Sequence, residues 1–326
     1  MPELRYNPLL GTYTMVAANR QKRPDMPKNW CPFCLGSPKV PKNYDVFLYP
    51  NDFPTLSQQP QIVEAIESQI YHTAQAYGKC DVVLYSPNHT ACLHELSVAH
   101  IAKLVALWQE RTEILSKDAN IKYIFPFENR GAEVGVTMPH PHGQIYAYPF
   151  VPLKITTELD NAKAYFEQHS RSLFEVMNEE ELKDGRRMIA ENEHFLAYLP
   201  HFTDYPFGIF IVARHNIASF SDFGAAERHS LAALLKDIVG AFDLIYDRPF
   251  PYMMCVHQSP VNSEKYADCA NYYRFHIEFY PPLRAANKVK WYASSEMGAW
   301  AAANVVAVEE SAILMRKALQ RFRDRK

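Results

Sequence analysis

Two histidines and a glutamine stand at alternate positions just before a strand-like run of apolar residues. Residues 139–144 read Pro-His-Pro-His-Gly-Gln, so His140, His142 and Gln144 follow one another at intervals of two. On an extended strand such side chains share one face, about 7 Å apart. Two imidazoles and an amide on one face suit phosphate chemistry or metal binding. Gly143 lets the backbone approach a ligand closely.

A pair of cysteines forms a second candidate site. Cys31 and Cys34 make a C-x-x-C knuckle, a spacing at which two thiolates chelate one tetrahedral zinc ion. The same spacing also occurs in redox sites and by coincidence. A redox site usually opens a helix, whereas Leu-Gly-Ser-Pro follows this knuckle, so the sequence favours zinc. Two further ligands are then needed, and the candidates are His89, His140 and the remaining cysteines.

The composition is typical of a globular protein with a substantial apolar core. Of 326 residues, 48% are hydrophobic and 21% are charged, and the net charge is −2. This charge argues against a nucleic-acid partner recognised by bulk electrostatics, although residues 20–23 form a local basic cluster. No run approaches the roughly 20 apolar residues of a membrane span, and the N-terminus lacks an apolar signal core. We therefore expect a cytoplasmic protein with reduced cysteines, no nucleic-acid partner and no membrane association.

The first half of the chain predicts a strand–helix–strand–strand unit. A buried strand at Asp81–Tyr85 precedes a helix that Ser97 would cap. Strands at Lys122–Phe127 and Gln144–Tyr148 follow, with a turn predicted at Asn129–Gly131. The helix is predicted from apolar residues near a 3.6-residue period, namely Val98, Ile101, Leu104, Val105, Trp108 and Leu115.

The second half repeats this order. A strand at Gly208–Ala213 precedes a second helix, and strands at Tyr252–Val256 and Tyr273–Tyr280 follow. A final amphipathic helix is predicted within Asn304–Arg323, with a weak stripe of Ala307, Ser311, Leu314 and Leu319. The second helix is predicted from one apolar stripe of Leu231, Leu234, Leu235, Ile238, Val239 and Phe242. The repetition predicts one duplicated α+β unit with two divergent copies.

Taken together, these residues resemble the galactose-1-phosphate uridylyltransferase family of the histidine-triad superfamily. The similarity runs from the basic segment at 19–24 to Glu296, and Gln144 replaces the third histidine of the hydrolytic relatives. The resemblance implies an α+β fold of tandem duplicated histidine-triad-like halves that form one extended, mainly antiparallel sheet with flanking helices. Residues 1–195 would hold the nucleophile and the zinc site, and residues 196–326 would be a degenerate copy.

The family resemblance also implies a reaction. His142 would attack the α-phosphorus of UDP-glucose, release glucose 1-phosphate and carry UMP until galactose 1-phosphate accepts it, with ping-pong kinetics. A backbone carbonyl in the His140–Pro141 segment would hold the other ring nitrogen of His142 in the donor tautomer. Gln144 would donate to a phosphoryl oxygen. The implied partners are a nucleotide sugar, a hexose 1-phosphate and a second copy of the chain in a homodimer.

The remaining site residues follow from the same resemblance. A structural zinc ion would be held by Cys31, Cys34, His89 and His140. Arg20 and Arg23 would reach the site of a neighbouring subunit. The substrate contacts implied by the family are, in chain order, Arg20, Arg23, Val40, Asn51, Asp52, Asn129, Gly135, Val136, Thr137, Lys290, Trp291 and Glu296.

A second metal is implied only in part. Some members of the family hold iron or zinc with a glutamate and three histidines. Glu158, His257 and His276 match three of these positions, but Glu278 stands in place of the last histidine.

Three other functions stay open. The same fold would serve a nucleotide-sugar phosphorylase or adenylyltransferase, or a dinucleotide hydrolase. Gln144 argues against water as the acceptor, because an amide is a poor general base. A non-catalytic zinc protein that binds nucleotides is the third alternative, and it predicts no covalent adduct. The intact nucleophile motif around His142 favours the uridylyltransferase.

Overall fold

The strands and helices follow the predicted order along the chain. The structure is a computed structural model that describes residues 2–18, 21, 30–64 and 66–325, so the predicted substrate contacts Arg20 and Arg23 lie outside the described residues. The strands are β1 (Glu3–Asn7), β2 (Thr12–Val16), β3 (Phe47–Pro50), β4 (Thr73–Gln75), β5 (Lys79–Leu84), β6 (Tyr123–Arg130), β7 (His142–Tyr148), β8 (Met188–Glu191), β9 (Phe195–Tyr198), β10 (Phe210–Ala213), β11 (Tyr252–His257), β12 (His276–Tyr280), β13 (Leu283–Ala285) and β14 (Lys288–Val289). The helices are α1 (Val98–Ser116), α2 (Leu153–His169), α3 (Leu173–Asp184), α4 (Ala225–Ile245), α5 (Ser294–Gly298) and α6 (Val308–Arg323).

Nine strands form one antiparallel sheet in the order β3-β5-β7-β6-β11-β12-β10-β9-β8. The middle of the sheet has an approximate internal symmetry. The triplets β5-β7-β6 and β10-β12-β11 lie side by side and are joined by the pairing of β6 with β11. Each triplet is built by the same chain order of strand, helix, strand and strand. The predicted mixed helix-and-sheet fold with one extended antiparallel sheet is confirmed. The division of the chain at residues 195 and 196 stays a prediction, and it falls within β9.

Alternate residues of the central strand β7 enter two different cores. On β7, Ile145 and Ala147 pack with the helices α1, α4 and α6, whereas Tyr146 and Tyr148 pack with α2 on the opposite face. His142 is separated from Tyr146 by four residues and therefore lies on the α2 face. The Ser97 hydroxyl caps α1 by accepting from His100 N at 3.1 Å, as predicted.

Two local predictions were wrong. Asn129 and Arg130 do not form a turn, because β6 continues through Arg130 to pair with β11, and the chain turns at Gly131 with φ of +100°. Pairing across the centre of the sheet therefore overrides the local turn signal. In α6, Leu314 is exposed rather than part of the buried stripe. That stripe consists of Ser311, Ala312, Met315, Ala318, Leu319 and Phe322.

Candidate active site

Four side chains from three separate segments converge beside the start of β7. The ligand atoms of Cys31, Cys34, His89 and His140 all lie within 4.8 Å of one another. Cys31 Sγ is 3.5 Å from His140 Nδ1, and Cys34 Sγ is 3.4 Å from His89 Nδ1. Tetrahedral zinc with bonds of 2.0–2.3 Å places neighbouring N and S ligands about 3.5 Å apart. The spacing and the donor types therefore fit a closed zinc site.

The buried imidazole of His140 is oriented by groups that the sequence did not reveal. Its Nε2 lies 2.9 Å from Ser86 O and 3.2 Å from Tyr44 Oη, which leaves Nδ1 to face the sulfur atoms. Burial lowers the pKa of His140 to about 4, so the ring is neutral, as a metal ligand must be. A backbone carbonyl has no sequence signature, so this partner could not have been predicted from residue types.

His142 plays a different part from His140. The strand β7 begins at His142, one residue after Pro141, so His140 lies just outside the strand and its imidazole turns to the cysteine sulfur atoms. His142 is half-buried, and its Nδ1 lies 2.8 Å from the backbone carbonyl of His140. The carbonyl accepts the Nδ1 proton, so the lone pair of the ring is on Nε2. Gln144, also half-buried, follows on the same face.

The neighbouring strand and loop bring further polar groups to this end of β7. In the β6–β7 register, Phe127 stands opposite Gln144, which places Asn129 beside His142 on the same face. The loop between β6 and β7 carries the other predicted phosphate-side residues, Gly135, Val136 and Thr137. Gly135 adopts φ of +80°, a left-handed conformation that favours glycine.

The predicted nucleoside contacts lie near the cysteine knuckle. Val40 packs on the small core that contains Phe33, next to the knuckle. Asn51 Oδ1 accepts from Phe53 N at 2.9 Å, which shapes the chain after β3. Asp52 accepts from Lys39 Nζ at 2.6 Å. These contacts describe the local structure, and the binding roles of Val40, Asn51 and Asp52 stay predictions.

The C-terminal candidates are held in contrasting ways. Lys290 is buried, and its ammonium group donates to the carbonyl of Asp204 while it lies over two tyrosine rings. Trp291, the next residue, is 70% exposed. Glu296 accepts from Ala293 N at 3.2 Å and so caps α5. Lys290 thus anchors a segment on which Trp291 is presented to solvent.

A second cluster lies under α2. It contains Glu158, His257, His276 and Glu278, whose ligand atoms also lie within 4.8 Å of one another. His257 Nδ1 is 3.0 Å from Glu158, and His276 Nε2 is 3.5 Å from Glu278. Two imidazoles and two carboxylates could hold iron or zinc, and whether Glu278 serves in place of the missing histidine stays a prediction. Lys154, which the sequence reasoning missed, pairs with Glu278 at 2.5 Å.

A third group, Cys92, His94 and Asp243, also has ligand-forming atoms close together. Here a protein cation already balances the carboxylate. Arg130 donates to both oxygens of Asp243, at 2.7 and 2.8 Å, and to Cys92 Sγ at 3.3 Å. The group therefore links β6 to α4 as a structural ion pair.

Comparison with known proteins assigns the chain to a family. The N-terminal domain model of galactose-1-phosphate uridyl transferase matches residues 31–152, and the C-terminal domain model matches residues 158–320. A galactose-1-phosphate uridylyltransferase of Thermotoga maritima is 39% identical over 319 residues, which cover 97% of this chain and 98% of that protein. The chain belongs to the galactose-1-phosphate uridylyltransferase family. The resemblance seen in the sequence is confirmed, and with it the prediction of a nucleotidyltransferase.

Solved structures agree with membership of the uridylyltransferase family. A structure described as a uridylyltransferase has a TM-score of 0.88 at 29% identity and covers 98% of this chain and 99% of that one. An ADP-glucose phosphorylase from Arabidopsis thaliana with bound ADP-glucose has a TM-score of 0.75 at 25% identity, with 97% and 98% covered. In the described part of this uridylyltransferase-family chain, none of the helices is both long and apolar enough to span a bilayer.

Proposed function

We propose that this chain transfers UMP from UDP-glucose to galactose 1-phosphate through a covalent uridylyl-His142 intermediate. The observation that carries the proposal is the 2.8 Å contact between His142 Nδ1 and His140 O. It fixes one tautomer and one ring orientation, and it makes Nε2 the nucleophilic nitrogen. The names of the curated relatives support the choice of acceptor.

The chemistry proceeds in two balanced displacements. In the first, the Nε2 lone pair forms a bond to the α-phosphorus of UDP-glucose, and the bond to the glucose 1-phosphate oxygen breaks with its electrons. In the second, an oxygen of galactose 1-phosphate attacks the same phosphorus, and the electrons of the P–N bond return to His142. The Gln144 amide donates to a non-bridging oxygen while charge develops there. Gln144 also leaves the intermediate without a carboxylate base that would activate water.

Zinc would support this step by holding the site in place. Bound to Cys31, Cys34, His89 and His140, it would supply no reacting group but would fix the His140 side chain. Because the His140 carbonyl accepts from His142, the zinc cluster would fix the backbone that orients the nucleophile. Occupancy of the second cluster by iron or zinc, the homodimer and the cytoplasmic location stay predictions.

The proposal is tested by mass spectrometry after incubation with UDP-glucose alone. We expect an acid-labile increase in mass equal to UMP on His142, absent from His142→Asn and present in His276→Asn, a buried histidine in the second cluster. Initial rates with both substrates varied should give parallel double-reciprocal lines. Intersecting lines together with no adduct would show that transfer is direct and that the covalent step is wrong.

The ADP-glucose phosphorylase neighbour makes a phosphorylase the second candidate. That enzyme would release UDP or ADP from the nucleotide sugar when inorganic phosphate is the only acceptor. We expect galactose 1-phosphate to be the better acceptor, because the relatives that are more similar in sequence are uridylyltransferases. Comparing the initial rates with the two acceptors decides between them, and free UMP in the absence of both would indicate a hydrolase.

A further inference from the structure

Gly143 lies against a buried tyrosine on the face of the sheet opposite to the His142 side chain. A Cβ atom at residue 143 would lie 2.3 Å from Tyr85 Oη, 3.0 Å from Tyr85 Cζ and 2.9 Å from Phe127 O. The first and last of these distances are shorter than real Cβ contacts allow. Glycine is therefore required at this position by the close approach of the Tyr85 side chain.

Tyr85 also holds the residues before the nucleophile. Its N–H donates to Pro141 O at 3.0 Å, and its own carbonyl lies 2.7 Å from His100 Nε2 on α1. Its ring packs edge-to-face on Trp108, with ring centroids 6.1 Å apart. The residue thus contacts the chain on both sides of His142, at Pro141 by its backbone and at Gly143 by its hydroxyl.

A buried carboxyl group lies beside the Tyr85 hydroxyl. Glu128 faces the same side of the sheet as Gly143, and its Oε1 accepts from Tyr252 Oη at 2.9 Å. In the described part of the chain, Glu128 Oε2 and Tyr85 Oη are both buried and lack a hydrogen bond of normal geometry, although the two groups interact electrostatically. Burial raises the pKa of Glu128 to about 7, against the opposing effects of Tyr252 and Arg130. The two groups can therefore share one proton, because the carboxyl donates to Tyr85 Oη when it is protonated and the hydroxyl donates to the carboxylate when it is ionised.

We propose that Tyr85 and Glu128 are positioning residues for His142. Glu128 holds the Tyr85 hydroxyl beneath Gly143, and Tyr85 thereby sets the path of the backbone from which the imidazole projects. The ring orientation is tied to that backbone, because the Nδ1 proton is accepted by a carbonyl only two residues away. A shift of the backbone would therefore move Nε2 relative to the phosphorus. This inference rests on the proposed role of His142 as the nucleophile.

The first test is the conservative variant Tyr85→Phe, which keeps the ring and removes the hydroxyl. We expect kcat and the single-turnover rate of His142 uridylylation to fall about tenfold, since displacements well below 1 Å are costly in covalent catalysis. The KM for UDP-glucose should change by less than twofold. Tyr198→Phe is the matched control, because Tyr198 is also fully buried but bonds to Asn178, on the opposite wing of the sheet.

The second test compares two substitutions of Glu128. Glu128→Gln keeps both a donor for Tyr85 and an acceptor for Tyr252, so we expect rates within threefold of the wild type. Glu128→Leu removes both and should match the loss in Tyr85→Phe. The rates of both Glu128 variants are divided by the folded fraction measured by circular dichroism, so partial unfolding of one variant does not affect the result.

The third test uses the close contact at residue 143. Gly143→Ala should lose about a hundredfold in kcat. The double variant Gly143→Ala/Tyr85→Phe should recover part of this loss, because the contact with Tyr85 Oη is removed while the 2.9 Å contact with Phe127 O stays. A loss confined to KM in Tyr85→Phe, or a kcat of Tyr85→Phe equal to that of Tyr198→Phe, would overturn the positioning role. Absence of any adduct on wild-type His142 would instead contradict the proposed function, so the two failures are distinguishable.

Discussion

Two equivalent strands of the sheet begin with a histidine, and each histidine ring contacts the backbone carbonyl two residues earlier. His142 opens β7 and His276 opens β12, each the middle strand of its triplet. His142 Nδ1 lies 2.8 Å from His140 O, and His276 Nδ1 lies 2.9 Å from Arg274 O. In both cases the carbonyl two residues earlier accepts the Nδ1 proton and so fixes the orientation of the ring.

The neighbours of the two rings differ. Two residues beyond His142 stands the amide Gln144, whereas two residues beyond His276 stands the carboxylate Glu278. His142 is half-buried, but His276 is only 1% exposed. Carboxylates repel an anionic phosphate and attract a cation, so the second environment is unsuited to the chemistry proposed for the first.

The adjoining strands repeat the contrast. Asn129 on β6 lies beside the first histidine, and His257 on β11 pairs directly with His276. One copy of the unit therefore surrounds its histidine with uncharged amides and the other with metal-type ligands. The fold therefore gives both histidines the same backbone contact, while the side chains around each ring suit the proposed nucleophile in one copy and the predicted metal ligand in the other.

Replacing each of the two histidines by asparagine should produce the largest difference in rate. We expect His142→Asn to lower kcat by about a thousandfold or more, because the covalent route is lost. His276→Asn should leave uridylylation of His142 within about tenfold of the wild type but destabilise the fold by about 3 kcal/mol, since it breaks a buried charged network. Single-turnover kinetics and urea unfolding measure the two effects. An equal loss of rate in both folded variants would break the comparison.

Replacing one predicted metal ligand in each cluster should produce the next largest difference, which we expect in Tm. Cys34→Ser should lower Tm by about 10 °C or more, because a closed zinc site contributes directly to folding. It should also slow adduct formation, since His140 would no longer be fixed. Glu158→Gln serves as the control in the second cluster, with a smaller expected loss of Tm. Differential scanning calorimetry measures the two losses of Tm, and metal analysis of each purified variant shows which of them has lost metal. A larger loss of Tm for Glu158→Gln than for Cys34→Ser would contradict the prediction.

Replacing Gln144 by glutamate and Glu278 by glutamine tests the contribution of the residue two positions beyond each histidine. Gln144→Glu places a carboxylate beside the nucleophile and should lower kcat/KM for UDP-glucose about a hundredfold by repulsion of phosphate. Glu278→Gln deprives Lys154 of its closest anionic partner and should cost about 1–3 kcal/mol of stability, with kcat within threefold. Steady-state kinetics and chemical unfolding report these values. A Gln144→Glu enzyme of normal activity would show that the amide is not required.

The last prediction concerns only the pH dependence of stability, where the two triplets meet at Glu128 on β6 and Tyr252 on β11. Burial raises the pKa of Glu128 from 4.5 to about 7, so the folded protein binds its proton more tightly than the unfolded chain does. The stabilisation from Glu128 is therefore complete below pH 4.5 and is lost as the pH rises to about 7, by on the order of 3 kcal/mol. Urea unfolding between pH 4.5 and 8 should show this loss in the wild type, and Glu128→Gln should flatten it.

Much of this architecture was predictable because its signals are local. The apolar period and the Ser97 cap predicted α1, and the repeated order of elements predicted the duplicated sheet. The C-x-x-C spacing predicted half of the cysteine–histidine cluster, and the family resemblance supplied His89 and His140. The turn predicted at Asn129–Gly131 failed because pairing between β6 and β11 involves residues more than 100 positions apart, which no local pattern encodes.

Residue types and their order along the chain therefore determined which groups are available for chemistry: the histidines, the cysteine knuckle and the amide at Gln144. Only the tertiary structure decided their division of labour. The His140 ring turns to the cysteines while its carbonyl orients His142, and Tyr85 comes to lie beneath Gly143. These contacts depend on backbone carbonyls and on packing between distant strands, and neither is written in the type or spacing of the residues concerned.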